Sequence, residues 1–198
     1  MKKIFLTALV MMSSVAVFAQ REVGTLSLQP KVGLNVAYLT GDEGVDTKPR
    51  LGVAAGVEIE YQLRKAFSLS AGIIYSQQGE KATIKRFLDE RTITAKTDYV
   101  NFPILANIYV VKGLALKFGI QPAVNVKAGY TYDLWEGDLS YYGIYVKTFD
   151  FAVPVGLSYE YKNLVIDARY NIGLTRMVED DESRNRTFQF TIGYKMDF

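Results

Sequence analysis

The stretch TFQFTIGYKMDF, residues 187–198, places an apolar side chain at every second position. Side chains of a β-strand point alternately to two faces, so a period of two predicts a strand with one apolar and one polar face. The apolar face carries Phe188, Phe190, Ile192, Tyr194, Met196 and Phe198. Something apolar must cover that face along its whole length.

The same alternation recurs along the chain and predicts eight long strands, with no helical period after residue 20. The strands are Leu26–Tyr38, Leu51–Tyr61, Phe67–Tyr75, Val100–Val110, Leu114–Val126, Phe149–Tyr161, residues 163–175 and residues 187–198. Short connections near residues 62–66, 111–113 and 161–163 alternate with long polar ones near 39–50, 77–98, 128–147 and 176–185. This order predicts an all-β fold, an eight-stranded antiparallel up-and-down transmembrane β-barrel with short turns at one end and long outer loops at the other.

The first residues have the features of a secretory signal peptide. Lys2 and Lys3 precede an apolar stretch, and Val17 and Ala19 occupy the small-residue positions of a cleavage site. We therefore predict a signal peptide at residues 1–19 and one barrel domain at residues 20–198. Cleavage removes those two Lys from 23 basic residues and none of the 21 acidic ones, which leaves a formally neutral chain. A neutral chain gives no electrostatic reason to expect nucleic acid as a partner.

The chain contains no Cys and no His. It therefore has no disulfide framework, and it lacks the usual general base, the usual metal ligand and the Ser-His pair of nucleophilic catalysis. We predict no catalytic residue, no cofactor and no metal site, and we expect a protein that is not an enzyme. Two acidic loop stretches lack the spacing of a calcium loop, and we interpret them as solvated loop tips, with bridging to lipopolysaccharide phosphates as the alternative. They contain Asp42, Glu43 and Asp46 in one loop and Glu179, Asp180, Asp181 and Glu182 in the other.

The polar face of the predicted strands carries many small residues, such as Gly52, Ala54 and Gly56. Small residues suit the crowded interior of an eight-stranded barrel, so the polar face is predicted to point inward and the apolar face toward lipid. The inward charges are of both signs, which favours a structural ion-pair network over a selective conduit. Its predicted members are Lys31, Glu58, Glu60, Lys117, Lys127, Asp150, Glu160, Asp167, Arg169 and Lys195, with Asp197 on the same face. The alternative is a soluble periplasmic ligand-binding barrel with its apolar face inward.

Aromatic residues on the apolar face cluster near both strand ends, as in the interfacial belts of membrane barrels. Tyr61, Phe67, Tyr159, Tyr161 and Phe198 lie near the short turns, and Tyr38, Tyr75 and Phe149 lie near the long loops. Four prolines, Pro30, Pro103, Pro122 and Pro154, fall inside predicted strands. Each removes a hydrogen-bond donor from the sheet, so β-bulges are expected at these positions.

Three stretches resemble the PorT-like outer-membrane β-barrel family of Gram-negative bacteria, which has an OmpX-like eight-stranded fold. They are RLGVAAGVEIEYQLRKAFSLSAGIIYSQQG (50–79), DYVNFPILANIYV (98–110) and DARYNIGLT (167–175). The terminal Phe198 after alternating aromatics resembles the signal by which the outer-membrane insertion machinery recognises its substrates. The resemblance implies a location in the cell outer membrane and, through the family's namesake, an accessory role in protein secretion or assembly.

From the residues themselves we expect a non-enzymatic membrane protein with a filled lumen that acts through its long outer loops. Its expected partners are outer-membrane lipid, lipopolysaccharide and a surface protein. The resemblance further implies the insertion machinery during assembly and a secretion-system protein. The stretch 77–96 is expected to extend outward as a hairpin whose exposed edge is able to pair with such a partner.

Overall fold

The computed structural model describes residues 21–40, 47–86, 89–134, 137–142, 147–176 and 184–198. These residues form eleven strands: β1 (Leu26–Thr40), β2 (Thr47–Arg64), β3 (Phe67–Arg86), β4 (Asp89–Asn101), β5 (Ile104–Val111), β6 (Leu114–Leu134), β7 (Gly137–Tyr142), β8 (Phe149–Tyr161), β9 (Leu164–Arg176), β10 (Arg184–Tyr194) and β11 (Met196–Asp197). Within this part of the chain, no helix is long and apolar enough to span a bilayer.

The strands close into a ring of eight positions. Each strand pairs antiparallel with its neighbours in the order β1, β2, β3, β4 with β5, β6, β8, β9 and β10. The ring closes because β10 pairs with β1, from Lys31 opposite Gly193 to Thr40 opposite Arg184. The short β11 continues this pairing, with Ser27 opposite Asp197. The predicted eight-stranded antiparallel barrel is confirmed.

The two faces of the strands differ sharply in exposure. Apolar residues such as Val32 and Ile166 are 59% and 53% exposed, whereas the inward Asn35 and Asp167 are 0% and 1% exposed. The apolar face therefore points outward, and a soluble barrel with its apolar face inward is excluded. A few apolar side chains, including Ile74 and Leu105, lie inside.

The aromatic residues predicted to lie near the strand ends occupy the outer surface. Tyr61, Tyr159, Tyr161 and Phe198 are exposed at the end with the short turns, and Tyr75 and Phe149 are exposed at the opposite end. Tyr38 is half exposed, and its hydroxyl lies 2.8 Å from the Tyr170 hydroxyl.

The expectation that the in-strand prolines produce bulges is wrong. The pairing register passes Pro30, Pro103, Pro122 and Pro154 without a shift. The prolines instead coincide with gaps in the hydrogen-bond ladder. The break between β4 and β5 contains Pro103, and the break between β10 and β11 at Lys195 lies beside Pro30 on β1. A proline lacks one donor but keeps an extended backbone, so one bond is lost while the strand direction is kept.

The end of the barrel opposite the short turns carries a sheet that rises beyond the ring. Paired residues continue there across five strands, β2, β3, β4, β6 and β7. Lys48 lies opposite Lys81, which is followed in turn by Thr94, Thr131 and Ser140. The predicted hairpin in residues 77–96 is thereby confirmed, but the loop predicted at 128–147 is wrong. There β6 continues to Leu134 and folds back as β7, since the alternating Thr and Tyr of this stretch favour strands. The acidic residues Asp42, Glu43, Asp46 and Glu179–Glu182 lie outside the described residues.

Candidate functional site in the barrel interior

Glycines on neighbouring strands make room for the inward charges. Glu58 lies opposite Gly72, and Arg169 lies opposite Gly156. A Cβ atom on Gly72 would lie 2.5 Å from Cγ of Glu58, and one on Gly156 would lie 3.0 Å from Cγ of Arg169. The small residues of the polar face therefore provide the space in which long charged side chains cross the lumen.

Five of these side chains form what we call the central cluster: Lys31, Glu58, Lys117, Asp167 and Arg169. Nζ of Lys31 lies 2.8 Å from Oε2 of Glu58, and Nζ of Lys117 lies 2.8 Å from Oδ2 of Asp167. Arg169 donates hydrogen bonds to both acids, 2.9 Å to Oε2 of Glu58 and 2.7 Å to each oxygen of Asp167. All five residues are at most 5% exposed. The cluster joins β1, β2, β6 and β9 through the interior.

A second group, the end cluster, lies toward the short turns and consists of Arg21, Glu60, Glu160, Lys195 and Asp197. Nζ of Lys195 lies 2.8 Å from Oε2 of Glu60 and 3.1 Å from Oε2 of Glu160. Arg21 forms ion pairs with Glu160, at 2.5 Å, and with Asp197. The segment before β1 therefore joins β8 to β11 across the mouth of the barrel.

The charges of the two clusters balance. The central cluster has three bases and two acids, and the end cluster has two bases and three acids. A buried charge is tolerated when it is paired and hydrogen-bonded, and these charges are linked by ion pairs. The two clusters together carry no net charge.

Two of the predicted network members are not in either cluster. Lys127 is exposed, so its predicted position in the lumen is wrong. The register of β4 against β6 shifts beside it, between Asp98 and Tyr99, and leaves Val126 without a partner. Such a bulge redirects the side chains next to it. Asp150 does point inward and is 8% exposed, but no Lys or Arg of the described ranges forms an ion pair with it.

Sequence reasoning missed two residues of the end cluster region. Arg21 precedes the first strand, so no alternation marks it as inward. Tyr109 is not among the predicted members, although its odd position in β5 is inward, and its hydroxyl donates a hydrogen bond to Glu60. The alternation of side chains in β5 would have identified Tyr109 as inward. The sequence contains no signal that Arg21 crosses the mouth of the barrel.

Phe198, the predicted assembly signal, is 78% exposed, more than any other large apolar residue of the described ranges. Its backbone N–H donates to the carbonyl of Leu26 at 2.8 Å. The C-terminus is therefore held against the first strand while its aromatic ring stays accessible.

The described part of the chain contains no group of three or more His, Cys, Asp or Glu side chains that could hold a metal ion. A closed antiparallel ring with an apolar outer surface and a charged, ion-paired interior defines a transmembrane β-barrel, since lipid covers the outer face and closure leaves no unpaired edge.

The comparisons agree with this class. A family model described as outer membrane protein beta-barrel domain matches residues 18–179, so the chain belongs to this family of outer-membrane β-barrel proteins. A search of curated proteins finds no match.

Solved structures share the fold at low sequence identity. Ail, the attachment invasion locus protein of Yersinia pestis, is 14% identical with a TM-score of 0.54, over 88% of this chain and 100% of that chain. A second structure of Ail, in complex with the heparin analogue sucrose octasulfate, is 14% identical with a TM-score of 0.53 over the same shares. OprG from Pseudomonas aeruginosa is 10% identical with a TM-score of 0.48, over 90% of this chain and 98% of that chain. At these identities the similarity concerns the fold.

Proposed function

We propose that this outer-membrane protein is non-enzymatic, has a sealed lumen and acts by contacting partners through its outer sheet. The observation that carries the proposal is the ion-paired network of balanced charge across the interior. A conduit selective for ions is lined by charges of one dominant sign facing a water path, whereas here the opposite charges of the two clusters lie within 3.6 Å of each other.

Planar-bilayer recording tests the sealed lumen. The purified barrel is expected to insert without stepwise conductance, and a known porin in the same bilayer is the positive control. Stable unitary currents from the protein would contradict a filled interior. Its insertion is checked independently by protease protection in the same lipid.

The interaction role is supported by the open edge of the outer sheet. Among the described strands, β7 pairs with β6 alone. An unpaired strand edge offers a row of backbone donors and acceptors to a partner strand. The outer sheet is thereby a natural docking edge at the surface of the membrane.

Proline substitution tests this edge, because successive N–H groups of an antiparallel strand point to opposite sides. Of Leu139→Pro and Ser140→Pro, one removes a bond to β6 and the other removes a donor from the free edge. The variant that removes a donor from the free edge is expected to lose cross-linking to a surface partner while keeping the barrel folded. The variant that removes a bond to β6 is expected to keep the cross-linking. Equal cross-linking by both variants would contradict strand addition at β7.

An accessory role in protein secretion is the second candidate, and the resemblance to the PorT-like family supports it. Deleting the gene distinguishes the secretion role from the surface-interaction role. Loss of secreted protein with intact envelope permeability supports the secretion role, whereas unchanged secretion removes it.

We also propose lipopolysaccharide as the lipid partner at the outer rim. Lys147, Arg176 and Arg184 are exposed at the outer ends of β8, β9 and β10, and Arg176 lies opposite Arg184. Guanidinium groups bind phosphate well because they donate two parallel hydrogen bonds. Replacing both arginines with Gln is expected to weaken binding of lipopolysaccharide, with Arg64→Gln at the opposite end as the control.

The segment 1–19 is proposed to be a cleaved signal peptide. N-terminal sequencing of the protein from the outer-membrane fraction is expected to begin at Gln20. A sequence beginning at Met1 would show that the segment is retained.

A further inference from the structure

The end of the barrel with the short turns contains a pocket that opens beside the end cluster. Its volume is about 440 Å³. This lies within the range of about 300–1,000 Å³ that is typical of small-ligand sites. We call it the mouth pocket and define it by six of the residues that line it: Arg21, Lys112, Tyr159, Glu160, Tyr161 and Lys162.

Two neighbouring turns bring the lysines of the pocket together. Lys112 and Gly113 connect β5 to β6, and Lys162 and Asn163 connect β8 to β9. Strands β6 and β8 are paired, and the carbonyl of Gly113 accepts the N–H of Glu160 at 2.7 Å. The first turn therefore lies against the strand that leads into the second, and both lysines lie at the same side of the mouth.

The charges of the two lysines are available to a ligand. Both side chains are exposed, and neither forms an ion pair with an acid of the described ranges. Glu160, the acid in the wall, already contacts two other bases, Arg21 at 2.5 Å and Lys195 at 3.1 Å. Three bases and one acid line the pocket, so its wall carries an excess of positive charge.

Lys162 has a backbone conformation that its residue type rarely adopts. Its φ of 56° lies in the left-handed region, where glycine or asparagine is the usual residue. Its Nζ lies 5.7 Å from the centre of the Tyr161 ring, within the range of a cation–π contact. A lysine at a position that suits glycine indicates a role for its side chain.

The wall of the pocket that faces lipid is aromatic and continues into an apolar surface. Tyr159 and Tyr161 point outward and are 47% and 63% exposed. Toward the middle of the membrane they are followed by the paired residues Leu116 and Leu157, which are 47% and 49% exposed. A cationic pocket next to an exposed apolar surface matches a ligand with an anionic head and hydrocarbon tails.

We propose that the mouth pocket binds one anionic glycerophospholipid of the periplasmic leaflet. The lipid phosphate accepts hydrogen bonds from Lys112 and Lys162, and an acyl chain lies along Tyr159 and Leu157. The short turns of outer-membrane barrels face the periplasm, so this site lies at the opposite end from the rim proposed to bind lipopolysaccharide. An anionic head is favoured over a zwitterionic one, because the ammonium group of the latter would lie close to the two lysines.

Native mass spectrometry tests the site on the barrel refolded in a neutral detergent. The protein is titrated with phosphatidylglycerol and, separately, with phosphatidylcholine that carries the same acyl chains. One phosphatidylglycerol per barrel is expected to be retained, with an affinity about 10-fold higher than that of phosphatidylcholine. Equal retention of the two lipids would overturn the proposal.

Two double variants locate the binding. Lys112→Gln with Lys162→Gln is expected to weaken binding of phosphatidylglycerol about 30-fold, since each lysine near an anionic lipid contributes about 5-fold. The control, Arg64→Gln with Lys65→Gln, removes the same charge at the turn between β2 and β3, outside the pocket. It is expected to keep the binding. An equal loss in both double variants would show diffuse attraction to the charged end of the barrel and refute the site.

Glycerol phosphate distinguishes a lipid site from a site for a soluble phosphate. At the same concentration as the lipid it is expected not to displace phosphatidylglycerol, because it lacks the hydrocarbon that contacts Tyr159 and Leu157. Displacement by glycerol phosphate would show that the pocket takes a soluble anion and would overturn the lipid assignment.

Lys162→Gly separates binding from folding. Glycine suits the left-handed backbone at this position, so the variant is expected to unfold at the same urea concentration as the unmodified barrel or higher. Its affinity for phosphatidylglycerol is expected to fall about 5-fold. A Lys162→Gly barrel that binds the lipid as tightly as the unmodified protein would refute the role of Lys162.

Discussion

Nη2 of Arg169 lies 2.9 Å from Oε2 of Glu58, although 111 residues separate them in the chain. The bond joins β9 to β2 through the interior of the barrel, and the same guanidinium also binds Asp167 on its own strand. A contact of this kind ties together two strands that do not pair, since β10 and β1 lie between them in the ring.

Glu58→Gln is expected to destabilise the barrel by about 3–5 kcal/mol, because removing one partner from a buried charge network leaves the others uncompensated. Lys31, Lys117 and Arg169 would then have only Asp167 as a shared acid in the central cluster. Urea unfolding of the refolded protein measures the change. Adding Lys31→Met is expected to recover part of the loss, and a double variant less stable than Glu58→Gln alone would contradict this explanation.

Val155→Arg is expected to impair membrane assembly at a cost of about 2–4 kcal/mol, since Val155 is the middle residue of β8 and points to lipid. Ser158→Ala on the same strand is the matched control, because Ser158 faces the interior and has a small side chain. The measurement is the amount of each variant in the membrane fraction, scored by the gel shift between unboiled and boiled samples. Equal accumulation of both variants would contradict the outward orientation of Val155.

Gly72→Val is expected to cost about 1–3 kcal/mol, because the new side chain would occupy the space that the Glu58 side chain uses. Ser158→Ala, a change at another small inward residue, is expected to change the urea midpoint little. If Gly72→Val were as stable as the unmodified chain, glycine would not be needed to accommodate the central cluster.

Phe198→Ala is expected to reduce assembly in cells but not refolding into detergent in vitro. The ring is exposed on the outer surface, so its loss removes little packing, whereas recognition by the insertion machinery would lose its terminal aromatic group. The two amounts of folded protein are compared by the same gel shift. A similar loss in both settings would indicate a structural role for Phe198.

The pairing partners of the charges could not be read from the sequence. The alternation of side chains along each strand predicted that Glu58, Lys117 and Asp167 point inward. It contains no information on which inward residues of different strands lie at the same height along the barrel axis. That depends on the stagger between strands, which a closed ring fixes only when all eight are paired. The bulge beside Lys127 shows the same limit, since one extra residue in β6 moved a predicted interior charge to the surface.

The sequence alone determined the eight strands of the ring and the two faces of each, because a period of two follows directly from the geometry of an extended chain and needs no partner. The tertiary structure decided what the inward residues do. Register brought Arg169 to Glu58, and it left Asp150 among amides without a base. These outcomes depend on distances between residues far apart in the chain, and closure of the barrel sets those distances.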